Sequence, residues 1–175
     1  MKILIAYFSR AGSNYGNGGV ITLSKGNTEI AAETIRRLTG GETFRIDTVK
    51  EYPADYEKTT KVAQVELRQG ARPELKDRVG DMGEYNVIFL GYPNWWGTMP
   101  MAVFSFLEAY DFSGKTILPF CTNEGSGMGH SEGDIKKLCP KAKVLKGLAI
   151  RGSAVKGAER DIADWIAASG IKDHV

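Results

Sequence analysis

The chain has 175 residues, enough for one domain with a sizeable core. A formal net charge of +2, with acidic and basic residues mixed along the chain, gives no electrostatic case for nucleic acid, and no apolar run reaches the length of a membrane span. Cys121 and Cys139, the only cysteines, match neither a disulfide framework nor a metal spacing, so both are expected to be buried thiols. The first apolar stretch is too short for a secretory segment, and a cytoplasmic protein is expected.

In chain order, Ile3 to Phe8 is nearly continuous in apolar character, as a strand covered on both faces should be. Residues 28 to 39 place Ile30, Ala31, Thr34, Ile35 and Leu38 on one helical face, with Gly40 and Gly41 as a stop. A short edge strand follows at Thr43 to Ile46, and a charged helix at about Asp55 to Gln69. Arg72 to Tyr85 reads as a connector, with one helical turn around Leu75 to Val79. Then come a strand 86–91, a helix 100–110, a strand 115–121, a short helix 132–139, a strand 143–149 and a last helix 157–169. The last helix sets Ile162, Trp165 and Ile166 at core spacing.

Strands alternating with helices imply a parallel sheet wound on both faces. The loop after the first strand lacks the G-x-G-x-x-G of dinucleotide folds, since it reads Ser9-Arg10-Ala11-Gly12. The order 2-1-3-4-5 is therefore expected, with its switch point between the first and third strands. Ligands bind at such a point, outside the strand carboxyl ends.

Three loops converge there. The first divides into an entry, Ser9-Arg10, an excursion from about 11 to 26, and a return, Gly26-Asn27-Thr28. Entry and return can close into a nest of hydroxyls and backbone amides at a helix N-terminus, which suits phosphate. Asn27 and Thr28 are also capping types, and capping uses the same donors. Within the excursion, Asn17-Gly18-Gly19 beside Val20-Ile21-Thr22-Leu23 predicts a small hairpin or a flap over the site.

The loop after the third strand, Pro93-Asn94-Trp95-Trp96-Gly97-Thr98, carries adjacent tryptophans whose broad faces suit a conjugated ring, although both are also ordinary core residues. The loop after the fourth strand, Thr122-Asn123-Glu124-Gly125-Ser126-Gly127, exposes backbone amides fit for a ring edge rich in carbonyls and nitrogens. A Ser126–His130 hydrolase is the competing reading, though Glu124 stands where the nucleophile elbow needs its first glycine. Ser131 with Asp134 reads as a cap for the next helix. No catalytic residue and no metal site is assigned.

Ala6-Tyr7-Phe8-Ser9-Arg10, Gly26-Asn27-Thr28, Gly91 to Pro100 and Thr122 to Gly127, in this order, resemble the flavodoxin-like FMN-binding family. The similarity covers nearly the whole chain and departs from the family's compact S-x-T-G-N-T loop only by the excursion. It implies a single flavodoxin-like three-layer domain over residues 1–175, a five-stranded parallel sheet, and FMN as cofactor. Ser9, Arg10, Asn27 and Thr28 would hold the phosphate, with Pro93 to Thr98 and Thr122 to Gly127 on either side of the isoalloxazine. His130, Tyr15, Tyr52 and Tyr56 would line a substrate pocket if the protein is an enzyme. The resemblance implies electron carriage to a redox partner protein, or NAD(P)H-dependent reduction of quinones or similar small-molecule acceptors, by a monomer or homodimer.

Overall fold

Strand β1 (Ile3–Tyr7) is buried along its whole length and lies second in the main sheet. The computed structural model describes residues 1–171, so Lys172 to Val175 of the expected domain lie outside the described residues. In the sheet β1 pairs on one side with β4 (Glu42–Arg45) and on the other with β5 (Val87–Pro93), both parallel. Strand β6 (Thr116–Asn123) runs parallel to β5. The spatial order is the expected one, with β4 as the second strand of the parallel series.

Alternation along the strands builds two cores. Leu4, Ala6, Ile88, Leu90, Tyr92, Ile117 and Cys121 face α3 (Met101–Ala109) and α4 (Ser131–Leu138), where Val103, Phe106 and Ile135 meet them. Ile3, Ile5, Val87, Phe89, Leu118 and Phe120 point the opposite way, against α1 (Asn27–Thr39) and α5 (Glu159–Ala168), through Ala31, Ile35, Ile162 and Ile166. Period-2 placement of apolar residues on a strand buried on both faces thus produces the three layers. Helix α2 (Tyr56–Gln69) starts at Asp55, whose carboxylate accepts the Lys58 amide at 2.8 Å. It is the most lightly buried helix stripe: Thr59 and Ala63 alone are fully covered in it.

Two local expectations are corrected. The last strand is two short pieces, β7 (Lys143–Val144) and β8 (Leu148–Arg151), which pair with the two ends of β6. The interruption falls opposite Leu118 and Pro119, and proline has no N–H to donate to a ladder. The turn around Leu75 to Val79 is not helical. Leu75 instead bridges to Thr48, and the helical turn of that connector is a 3-10 turn at Met82–Glu84. The final helix falls where it was expected, as α5, and a 3-10 segment at Gly152–Gly157 that the sequence did not suggest precedes it.

The excursion is a hairpin, β2 (Gly12–Gly16) and β3 (Gly19–Leu23), turning at Asn17 and Gly18 with φ of 51° and 81°. Positive φ at both central residues is what a two-residue hairpin turn demands. Both cysteines are buried, as composition leads one to expect.

Candidate functional site

At the carboxyl ends of β1, β5 and β6 lies a cavity of about 310 Å³, within the range of roughly 300–1,000 Å³ typical of small-molecule sites. Ser9, Arg10, Asn27, Thr28, Pro93, Asn94, Trp95, Thr122, Asn123, Glu124 and Ser126 line it. Of the sequence-derived set, Trp96, Gly97, Thr98, Gly125 and Gly127 stand outside the lining.

The phosphate-type end is built at the start of α1. Gly26 precedes the helix in extended backbone and contributes no side-chain cap. The Ser9 hydroxyl, from the end of β1, accepts the Glu29 amide at 3.1 Å. A Cβ on Gly26 would stand 2.1 Å from that oxygen, so a side chain there would expel it. Asn27 and Thr28 do not cap the helix with their side chains. Instead Thr28 Oγ1 pairs with Thr122 Oγ1 at 2.8 Å, buried, tying α1 to the end of β6. The amides of Asn27 and Thr28 find no acceptor among the described residues. Two open N–H groups thus stand at the positive end of a helix dipole, the arrangement by which helix N-termini accept anions in general.

Arg10 lines the cavity but points its guanidinium elsewhere. Nη1 donates to the Pro53 carbonyl at 2.8 Å, Nη2 to that of Ala54 at 2.7 Å and Nε to that of Ser13 at 3.3 Å. It thereby fastens the hairpin to the segment leading into α2. Burial pulls its pKa down against the opposing pull of Asp55, and it remains a cation at neutral pH.

The ring-type end is walled by Trp95, whose indole packs edge-on against Phe8 at 5.1 Å and Tyr52 at 5.2 Å. Asn94 joins the two ring loops: its Nδ2 donates to the Gly127 carbonyl at 2.9 Å and its Oδ1 accepts the Gly97 amide at 2.9 Å. Trp95 and Thr98 close a tight turn by exchanging backbone hydrogen bonds, which leaves Trp96 at φ 57° and Gly97 at φ 85°. Trp96 is turned outward and is 50% exposed, its indole N–H donating to the Thr60 carbonyl of α2 at 2.9 Å. Glu124 is held at the cavity rim, accepting from the Ser153 amide at 2.9 Å and the Ser153 hydroxyl at 3.3 Å.

His130 is paired through Nδ1 with Asp134 at 2.8 Å, and the same carboxylate oxygen accepts from the buried Thr98 hydroxyl at 2.5 Å. No hydrogen bond joins Ser126 to His130 among the described residues, so the two are not assembled as nucleophile and base. Ser131 does not cap α4 either. It is fully buried, donating to the Met128 carbonyl and accepting from the Tyr92 hydroxyl at 2.9 Å. Of the pocket tyrosines expected, Tyr15 and Tyr56 line the cavity with rings stacked at 6.1 Å, while Tyr52 lies behind Trp95. Burial, and then the neighbouring Tyr15, push the Tyr56 phenol above its ordinary pKa.

Sequence reasoning missed Asn14 and Gly152. Gly152 follows β8 and lets the chain pass close to the rim, since a Cβ there would lie 2.4 Å from Asn27 Nδ2 and 2.9 Å from Glu124 Oε1. The rule that ligands gather at strand carboxyl ends points to this fourth loop as well. Among the described residues no group of side chains could hold a metal ion, and no helix is long and apolar enough to cross a membrane.

A doubly wound parallel sheet with an open helix N-terminus beside an aromatic wall defines a protein class built to hold a phosphorylated, ring-bearing ligand. The family model described as flavodoxin matches residues 2–169, and the chain belongs to that family. A candidate flavoprotein from Bacteroides eggerthii DSM 20697 is 30% identical, with a TM-score of 0.71 over 93% of this chain and 98% of that one. One from Bacteroides uniformis ATCC 8492 is 28% identical, with a TM-score of 0.77 over 95% and 97%. A flavoprotein from Lactobacillus acidophilus NCFM, solved in complex with FMN, shares the fold at 22% identity and a TM-score of 0.67, over 89% and 97%. No curated protein matches the chain.

Proposed function

We propose that this flavodoxin-family chain binds FMN in the cavity at the strand ends and transfers electrons through it. The observation that carries the reading is the pair of open amides of Asn27 and Thr28 beside the Ser9 hydroxyl, at the same cavity as Trp95. A phosphate accepts from such amides, and the helix dipole adds about 0.3 to 1 kcal/mol, with about 2 at partly buried sites. The lining supplies hydroxyls and amides at one end and aromatic surface at the other, which matches the two ends of FMN. The flavin supplies the one- and two-electron chemistry, and the protein sets its access and electrostatics. Trp95 and Pro93 keep water from one side of the ring, Asn94 fixes the relation of the two ring loops, and the Glu124 carboxylate disfavours added negative charge at the rim.

The test is reconstitution. FMN added to apoprotein should lose its fluorescence at one equivalent, and riboflavin, which lacks the phosphate, should bind at least tenfold more weakly. Equal affinity for the two flavins would remove the helix N-terminus from the site.

The reading as an NAD(P)H-dependent oxidoreductase for small acceptors is favoured by one observation. The formal net charge of +2 offers none of the acidic field that steers a carrier to a basic partner. Anaerobic addition of NADH or NADPH to the loaded protein separates the two: rapid bleaching marks a reductase, whereas no reaction together with a stable one-electron state marks a carrier.

A further inference from the structure

A second cavity, of about 540 Å³, shares no lining residue with the one at the strand ends. It lies between α2 and the chain on either side of that helix. Helix α2 stops at Gly70 in left-handed backbone, and the chain turns back to meet the segment that precedes the helix. There the Val49 amide donates to the Glu74 carbonyl at 2.9 Å and Thr48 bridges to Leu75. Residues 49–53 and 71–74, with Val62 and Glu66 of α2, thus enclose a space of small-molecule size. We infer that this cavity binds a small organic amine, its ammonium on Glu66 and its apolar body against Tyr52, Val49 and Val62.

Glu66 supplies the charge. Its Oε2 accepts from the Tyr52 hydroxyl at 2.8 Å, and its Oε1 has no partner among the described residues. No side-chain oxygen or nitrogen sealed from solvent lacks a hydrogen bond among them, so Oε1 is reachable from outside. Burial holds this carboxyl above its ordinary pKa, against the pull of the Tyr52 hydrogen bond and then of the Lys50 charge. Lys50 nevertheless forms no ion pair among the described residues. A half-buried carboxylate with one open oxygen is stabilised by a charged donor that reaches it.

The rest of the lining decides the sign of the ligand. Arg72 is already engaged: Nη2 pairs with Glu108 at 3.0 Å, Nη1 donates to the Gly70 and Ala71 carbonyls at 3.1 Å, and the guanidinium lies over the Phe104 ring. Apart from that pair, Glu51, Glu66 and Glu74 stand against the single ammonium of Lys50. Such a surplus repels anions and draws a cation. A bare metal ion does not fit, because no metal-binding group of side chains converges among the described residues.

The apolar surface calls for an organic body. Val49 and Val62 are 56% and 37% exposed, and both line this cavity. Exposed apolar residues scattered singly need no explanation, but two gathered with Pro53 and Pro73 on one cavity give a ligand surface to cover. Tyr52 joins the two halves. Its hydroxyl fixes Glu66, and its ring is held by edge contacts to Phe8 at 5.9 Å and Trp95 at 5.2 Å. An aromatic ring next to a carboxylate suits an ammonium, which both attract.

The probe is tryptamine, compared with tryptophol, which has a hydroxyl in place of the ammonium, and with indole-3-propionate, which has a carboxylate. Titration into the full chain at about pH 8, followed by calorimetry and by amide shifts in ¹H–¹⁵N spectra, should show saturable 1:1 binding of tryptamine. The largest shifts should fall in segments 49–52, 62–66 and 71–74. Tryptophol should bind at least about tenfold more weakly, and indole-3-propionate more weakly still. Glu66→Gln, which keeps an acceptor for Tyr52, and Val62→Trp, which fills the cavity from α2, should each weaken tryptamine at least about fivefold. The ligand series needs no variant, so it decides even where a variant fails to fold. Equal affinity for tryptamine and indole-3-propionate overturns the proposal. So do wild-type affinity in both variants, absence of saturable tryptamine binding, and shifts confined to segments 26–28 and 122–127 of the other cavity.

Discussion

The Thr28–Thr122 hydroxyl pair shows how single side chains fix the site before any ligand arrives. Both residues are nearly fully buried, and each satisfies the other at 2.8 Å. Thr28→Val keeps the shape but leaves the Thr122 hydroxyl without a partner, so urea unfolding of the apoprotein should show a loss of about 1 to 3 kcal/mol. A midpoint and slope equal to wild type would show that the pair contributes nothing. Cys121 makes a second residue-scale case, because burial pushes its thiol up to about 12. The folded chain holds the proton where the unfolded chain ionises, so this thiol's contribution is full below the unfolded value of about 8.5 and fades as pH climbs toward the folded one. A thiol reagent at pH 8 should leave Cys121 unmodified in the native protein and label it after denaturation; rapid native labelling would contradict its burial. At this scale the sequence was partly legible. Residue type marked Ser9, Asn27, Thr28 and Trp95 for the rim, but two adjacent tryptophans have the same chemistry. Only the turn that gives Trp96 a positive φ sends one inward and the other outward, and that depends on hydrogen bonds between Trp95 and Thr98 formed in the fold.

The hairpin β2–β3 is the element that distinguishes this chain from a compact phosphate loop. Its existence was readable, because Asn17-Gly18 is a turn signal followed by a β-branched run. Its fastening was not, since Arg10 could as well have met a phosphate. The guanidinium instead binds carbonyls at Ser13, Pro53 and Ala54, and the Tyr56 amide adds a bond to the Ser13 hydroxyl at 3.2 Å. Asn14 and Tyr15 reach the cavity from this anchored position. Arg10→Ala should therefore loosen the hairpin more than it weakens phosphate contact. Amide exchange in residues 12–23 is expected to accelerate at least tenfold, while the preference for FMN over riboflavin stays within about twofold. A selective loss of that preference would mean that Arg10 acts on the phosphate. The split of β7 and β8 was illegible for a related reason: the residue responsible, Pro119, lies on the neighbouring strand, and which side of a strand lacks its donor is decided only by pairing.

At the scale of the whole molecule, the sheet order and both cores follow from alternation that the sequence displays openly, whereas the site exists only where several chain segments meet. No one of those segments binds a ligand alone, so occupancy should couple to global stability. A ligand that binds only the folded chain stabilises it by about 2.7 kcal/mol at a hundred times its dissociation constant. For a domain of this length each kcal/mol raises the midpoint by roughly 2 to 4 °C. FMN at that excess should thus raise the melting temperature of the apoprotein by about 5 to 10 °C. Riboflavin at the same concentration should give a clearly smaller rise, because it leaves the Asn27 and Thr28 amides open. If both flavins shift the transition equally, the stabilisation comes from the ring loops alone, and the start of α1 has no part in holding the ligand.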